Sequence, residues 1–126
     1  MDELVEQVSA ALGVNEDVAR TAVGLVLGFL QKESPDGAVS ELLEKLPGAR
    51  EAIDSAESGA RGGGLGGLMG GMGGLMGLAS KLNGAGIDMS QIPKLGHEIF
   101  GYAEAKVGRD KLQEIVNSIP GIAQFV

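Results

Sequence analysis

An uncharged stretch of nineteen residues, from 62 to 80, limits how this chain can fold more than any other feature. It lies between Arg61 and Lys81 and reads GGGLGGLMGGMGGLMGLAS. Glycine in a helix interior costs roughly 1 kcal/mol relative to alanine, so about ten glycines forfeit on the order of 10 kcal/mol. No isolated helix survives that cost. One interpretation of the stretch is therefore a flexible tether between two folded parts.

The residues between the glycines favour a second interpretation, a helix that forms only when it is covered. They recur at steps of three and four, the a/d spacing of a heptad, at Leu65, Leu68, Met72, Leu75, Ala79 and Leu82. Met69 and Met76 fill the adjoining e position. Methionine-rich surfaces adapt to their partners. We therefore predict a protein-contact surface, the Leu/Met stripe, formed by Leu65, Leu68, Met69, Met72, Leu75, Met76 and Leu82.

Contact with a membrane is a third interpretation of the same stretch. Its length without charge approaches that of a bilayer-spanning segment. However, glycine adds little apolar character, and the basic flank is limited to Arg61 and Lys81 beside an acidic chain. Attraction to anionic lipid is accordingly weak.

The rest of the chain is patterned for helices. Apolar residues recur with helical period and no segment alternates with period two, which predicts helices at about 2–12, 15–33, 35–46, 48–57, 78–83, 90–107 and 109–118. Gly13 suits the left-handed backbone conformation that often ends an α-helix, and Asn15 suits the N-cap of the next helix. The second helix is apolar around much of its circumference and is expected to lie at the centre. The predicted fold class is all-α, a small helical bundle.

An internal duplication is the second prediction about architecture. A shift of 73 residues aligns residues 13–53 with 86–126 without a gap, and it pairs Gly13 with Gly86 and the segment VSELLEKLPG with LQEIVNSIPG. Each copy is too small to bury its own apolar stripes, so two copies would pack face to face. The expected division is a first helical repeat at 1–58, a glycine-rich connector or conditional helix at 59–74, and a second repeat at 75–126.

Composition narrows the classes of function. The net charge is −7 and the ten basic residues are scattered, which argues against nucleic-acid binding because phosphate contacts need dense cations. Cysteine is absent, which excludes disulfides and thiolate metal sites. The acidic N-terminal residues, MDELVEQV, lack the pattern of a secretory signal. We expect a cytoplasmic protein.

Catalytic signatures are missing from the sequence. His97 is the single histidine, and its nearest acidic neighbour is Glu98, whereas metal sites need several converging ligands. Carboxylates one turn apart, such as Glu41 and Glu44, lie opposite the apolar stripes, where they are solvated rather than paired in a cleft. Neither phosphate-binding glycine motif is complete. The sequence therefore predicts no enzyme activity, no metal, no cofactor and no small-molecule substrate.

The run of glycine, leucine and methionine leads into LASKLNGAGIDMSQI and then into a long predicted helix. Over residues 62–118 this pattern resembles bacterial proteins of unknown function of the VcgC/VcgE type. The resemblance implies an all-α bacterial protein and assigns no catalytic or binding residue to this chain. Our functional hypothesis is a non-enzymatic protein that associates with a protein partner or with itself through the Leu/Met stripe. The alternative is a peripheral membrane protein that inserts the run.

Overall fold

A computed structural model of the chain describes the backbone of residues 2–33, 37–61 and 74–118, and side chains within 2–31, 39–56 and 77–117. Over these ranges the chain is helical and contains no strand, so the predicted all-α class is confirmed. A 3₁₀ turn at Met89–Gln91 precedes the sixth helix. The helices are α1 Asp2–Leu12, α2 Glu16–Glu33, α3 Gly37–Lys45, α4 Ala49–Arg61, α5 Gly74–Ala85, α6 Ile92–Val107 and α7 Arg109–Ser118.

Two helices are longer than the sequence predicts. The fourth continues to Arg61, and α5 begins at Gly74, inside the glycine-rich stretch. Leu78 and Leu82 of α5 are buried, and this packing offsets the weak helix propensity of the glycines around them. We refer to residues 2–61 as the first half, 62–73 as the connector and 74–118 as the second half.

Local chemistry fixes the ends of α1 and α5 in the same way. Gly13 and Gly86 both have positive φ, at 69° and 113°, a conformation that glycine adopts without strain. The residue after each glycine donates its backbone N–H to a carbonyl five residues back, Val14 to Ser9 at 3.2 Å and Ile87 to Leu82 at 2.9 Å. Such bonds are typical of helix C-termini.

The start of α2 also follows the prediction. The Asn15 side-chain oxygen accepts a hydrogen bond from the backbone N–H of Val18 at 3.1 Å. Glu16 and Asp17 lie in the first turn, where negative charge interacts favourably with the helix dipole. The predicted N-cap is therefore confirmed.

α2 lies at the centre of the bundle. All residues from 22 to 28 are buried, and the helix contacts α1, α3, α4, α5 and α6, most extensively α4. Gly24 makes the α4 contact possible, because a Cβ at this position would clash with the Ala52 carbonyl oxygen and lie 2.9 Å from the Ala56 Cβ. The two helix backbones therefore approach closely at a residue without a side chain.

The buried residues form one cluster to which both halves contribute. α1 packs against α6, and α5 packs against α2, so the first helix of each half contacts the long helix of the other. α3 contacts both α6 and α7. The bundle is thus built from contacts between the halves as well as within them.

The long helices α2 and α6 differ on one face. The predicted duplication pairs residues 73 positions apart. In one such pair, Val26 and Ile99, both residues are buried, whereas in another pair Gly24 is buried and His97 is exposed. The same holds for Gly28, which is buried, and Gly101, which is exposed. α4 covers this face of α2, and among the described residues no helix covers the corresponding face of α6. The duplication stays a prediction.

Substitution at Gly24 tests the close approach of α2 and α4. Gly24→Ala is expected to lower the free energy of unfolding by about 2–3 kcal/mol, since overpacking costs typically 1–3 kcal/mol. Gly101→Ala is the matched control in α6, where a Cβ would meet nothing within 4 Å. That control is expected to gain about 0.5–1 kcal/mol from helix propensity. Urea unfolding followed by circular dichroism measures both, and a Gly24→Ala variant as stable as the parent would contradict the packing.

Candidate functional site

The members of the Leu/Met stripe fall into three groups in the structure. Leu65, Leu68, Met69 and Met72 lie outside the described residues. Leu75 and Met76 lie in the first turn of α5, where the backbone is described and the side chains are not. Leu82 lies in the last turns of α5 and is fully buried. The stripe residue that is described in full thus belongs to the core of the bundle.

α5 connects the predicted stripe to that core. Leu78 and Leu82, one turn apart, are 7% and 0% exposed, and Ala79 is half-buried against the same cluster. At the end of α5, a Cβ on Gly86 would be 3.5 Å from Cγ1 of Val18 in α2. The C-terminal part of α5 is therefore committed to its own chain, and a partner surface would have to be formed by the residues before it.

The described surface offers little apolar area for a partner. Met89, which is 61% exposed, is the one large hydrophobic side chain on the described part of the chain that is mostly in solvent. It lies in the 3₁₀ turn before α6, beside the exposed residues Asp88 and Ser90. A single exposed methionine is ordinary for a protein surface.

The residues considered for chemistry do not converge. His97 is exposed on α6, and Glu98 beside it is half-buried. Within the described ranges, no three His, Asp or Glu side chains are placed to hold a metal ion. The carboxylate pair Glu41 and Glu44 lies on the outer side of α3, and Glu41 forms an ion pair with Lys111. That side chain therefore serves a contact between helices.

The ion pair between α3 and α7 was not predictable from local sequence. Lys111 Nζ lies 3.0 Å from Glu41 Oε2. The hydrogen bond to Glu41, together with the negative charges of Glu41 and Glu114, raises the pKa of Lys111. A lysine with a raised folded-state pKa stabilises the fold below its unfolded-state pKa and loses that contribution as pH rises through the folded-state value. The contribution of this ion pair to the stability of the fold is therefore independent of pH near neutrality. It is also small, because both side chains are half-exposed to solvent.

A second polar contact joins the halves where α1 meets the start of α6. Gln91 Nε2 donates a hydrogen bond to the backbone oxygen of Leu12 at 2.7 Å, across 79 residues of sequence. The same side chain accepts, through Oε1, the backbone N–H of Asp88 at 3.1 Å. Gln91 thus satisfies a carbonyl at the end of α1 and a donor at the start of its own turn.

The membrane interpretation concerns residues 62–80, of which the structure describes the backbone from Gly74 onward. Within the described ranges, no helix combines the length and the apolar character needed to cross a bilayer. The connector lies outside those ranges.

Comparison with protein-family models, curated proteins and solved structures finds no match to this chain. The resemblance to proteins of the VcgC/VcgE type stays a prediction, and the candidate site depends on the geometry of the chain itself.

Paired substitutions test whether Leu82 belongs to the core. Leu82→Ala is expected to lower the free energy of unfolding by about 2–5 kcal/mol, because it removes buried methyl groups and leaves a cavity. Met89→Ala, a control of similar size change at an exposed position, is expected to alter it by no more than about 0.5 kcal/mol. Chemical denaturation measures the difference. Equal effects of the two substitutions would show that Leu82 is not packed as described.

Proposed function

We propose that this protein is a non-enzymatic assembly protein that associates through the Leu/Met stripe, with a protein partner or with a second copy of the chain. One observation carries the proposal. Among the described side chains, every large hydrophobic except Met89 is buried or half-buried. The described surface of the folded chain therefore exposes no large apolar patch, and outside the described ranges the heptad spacing and the methionines distinguish the stripe as a contact surface.

The existing helix α5 supplies a physical route to such a surface. Starting a helix is costly, whereas adding residues to an existing one is not. α5 is already helical at Gly74, so a helix extended back to Leu65 needs no new nucleus. We propose that a partner induces this extension.

The energetics make the extension conditional on a partner. Residues 65–73 contain five glycines, which cost about 5 kcal/mol relative to alanine when helical. Burying Leu65, Leu68 and Met72 gains about 1.5–3 kcal/mol each. The two terms are of similar size, so in this proposal the helix forms when the stripe is covered and not otherwise.

The proposal assigns the protein to the bacterial cytoplasm, for which the absence of cysteine is the supporting observation. It includes no cofactor, metal or small-molecule substrate. Two duplicated halves are part of it, supported by the matching glycine φ signs at Gly13 and Gly86.

Substitution within the connector tests the stripe. A triple variant, Leu65→Ser, Leu68→Ser and Met72→Ser, is expected to abolish association, because it removes the apolar a/d residues. In light scattering over a concentration series, the parent is expected to show a mass that rises above the monomer, whereas the variant remains monomeric. The matched control replaces Gly67, Gly70 and Gly73 with serine, off the stripe, and is expected to behave as the parent.

A second measurement covers the case of a foreign partner. Partners recovered with the parent from its native cell are compared with those recovered with the stripe variant. Unchanged mass and unchanged partner recovery in the stripe variant would overturn the proposal. Flotation of the parent with anionic liposomes at low salt, lost in the stripe variant, would favour the membrane alternative instead.

A further inference from the structure

The two halves of the chain differ sharply in charge. Residues 1–61 carry twelve acidic and five basic side chains, whereas residues 62–126 carry five of each. The net charge of −7 therefore belongs entirely to the first part of the chain. Like-charged bodies repel, so two first halves are poorly suited to pair with each other, and a neutral second half is the better partner.

Contacts between the halves are reciprocal. α5 of the second half packs chiefly on α2 of the first, and makes no comparably extensive contact with α6 or α7 of its own half. α1 of the first half packs on α6 of the second. The first helix of each half thus packs against the other half of the same chain. Two subunits that exchange a structural element make contacts of this reciprocal kind.

The buried surfaces on both sides are apolar and well covered. Leu4 and Val8 of α1 are fully buried, as are Leu82 of α5 and Leu95 of α6. The helices that carry these residues, α1, α5 and α6, all pack across the division, although α1 also contacts α2 and α6 also contacts α7 within their own halves. A hydrophobic surface that is completed by a second body resembles an obligate protein interface.

Specific polar contacts set the register of the two halves. Gln91 donates to the Leu12 carbonyl at 2.7 Å on one side, and Lys111 pairs with Glu41 at 3.0 Å on another. Both contacts place a donor of the second half on an acceptor of the first. The ion pair also follows the difference in net charge, because its cation lies on the neutral second half and its carboxylate on the acidic first half.

We infer that the surface between the two halves is an exchangeable interface, on which the complementary half of a second copy of this chain can replace the chain's own. Leu82 of the Leu/Met stripe lies in this interface, whereas Leu65, Leu68 and Met72 lie in the connector, outside the described residues. The interface therefore defines a way for two copies to associate that does not require those three residues.

The connector determines when exchange takes place. A short covalent link between two binding surfaces holds them at an effective concentration of roughly millimolar. At lower protein concentrations the chain's own halves pair with each other and exchange is suppressed. Cleaving the connector removes this advantage, so that halves from different copies then compete on equal terms.

Cleavage within the folded protein tests the inference. A site for a sequence-specific protease is inserted between Gly67 and Leu68, and the purified protein is cut. We expect both pieces to remain together at the mass of one chain, with the helical signal of the uncut protein. Cut protein carrying a heavy isotope is then mixed with cut unlabelled protein, unfolded briefly in denaturant and refolded. Native mass spectrometry is expected to find light and heavy halves combined in statistical proportion.

The outcomes separate this inference from the proposed function. Uncut protein treated in the same way is the control and is expected to give no hybrid at micromolar concentration. After cleavage at the same inserted site, the triple serine variant of the stripe is expected to form hybrids as readily as the cleaved parent. This result is expected even if the uncut variant no longer associates through the connector. Separation or aggregation of the pieces, absence of hybrids after refolding, or pairs of two first halves would overturn the inference.

Discussion

Close contact between α2 and α4 at Gly24 is the constraint on which the arrangement of the bundle depends. α2 is buried around most of its circumference, and it can accept α4 only because no side chain stands between the helix backbones. The remaining faces of α2 are then free for α1, α3, α5 and α6. A core with no tryptophan and few aromatic residues needs such close packing, because small aliphatic side chains fill little volume each.

Sequence predicted the features that depend on neighbouring residues. The C-terminal end of α1 and the start of α2 follow from Gly13 and Asn15, whose roles depend only on residues nearby in the chain. Gly24 is different, because helix propensity marks it only as a weak position and its role becomes apparent through contact with Ala52. The hydrogen bond from Gln91 to Leu12 likewise joins residues too distant in sequence for any local pattern to predict.

The candidate site shows the same limit. Heptad spacing groups Leu82 with Leu65, yet Leu82 is buried in the core of its own chain. Periodicity identifies which residues share a face and does not say whether that face meets the same chain or another. Leu82 is buried because α5 packs against α2, and the position of α2 is a property of the fold.

The environment of Tyr102 has a consequence for spectroscopy. The chain has one tyrosine and no tryptophan, and this ring is half-buried on α6, with Lys106 Nζ 5.2 Å from its centroid. Fluorescence excited at wavelengths that tyrosine absorbs and phenylalanine does not therefore arises from a single position in the second half. Circular dichroism, by contrast, sums over helices in both halves, so the two signals report on different parts of the same molecule.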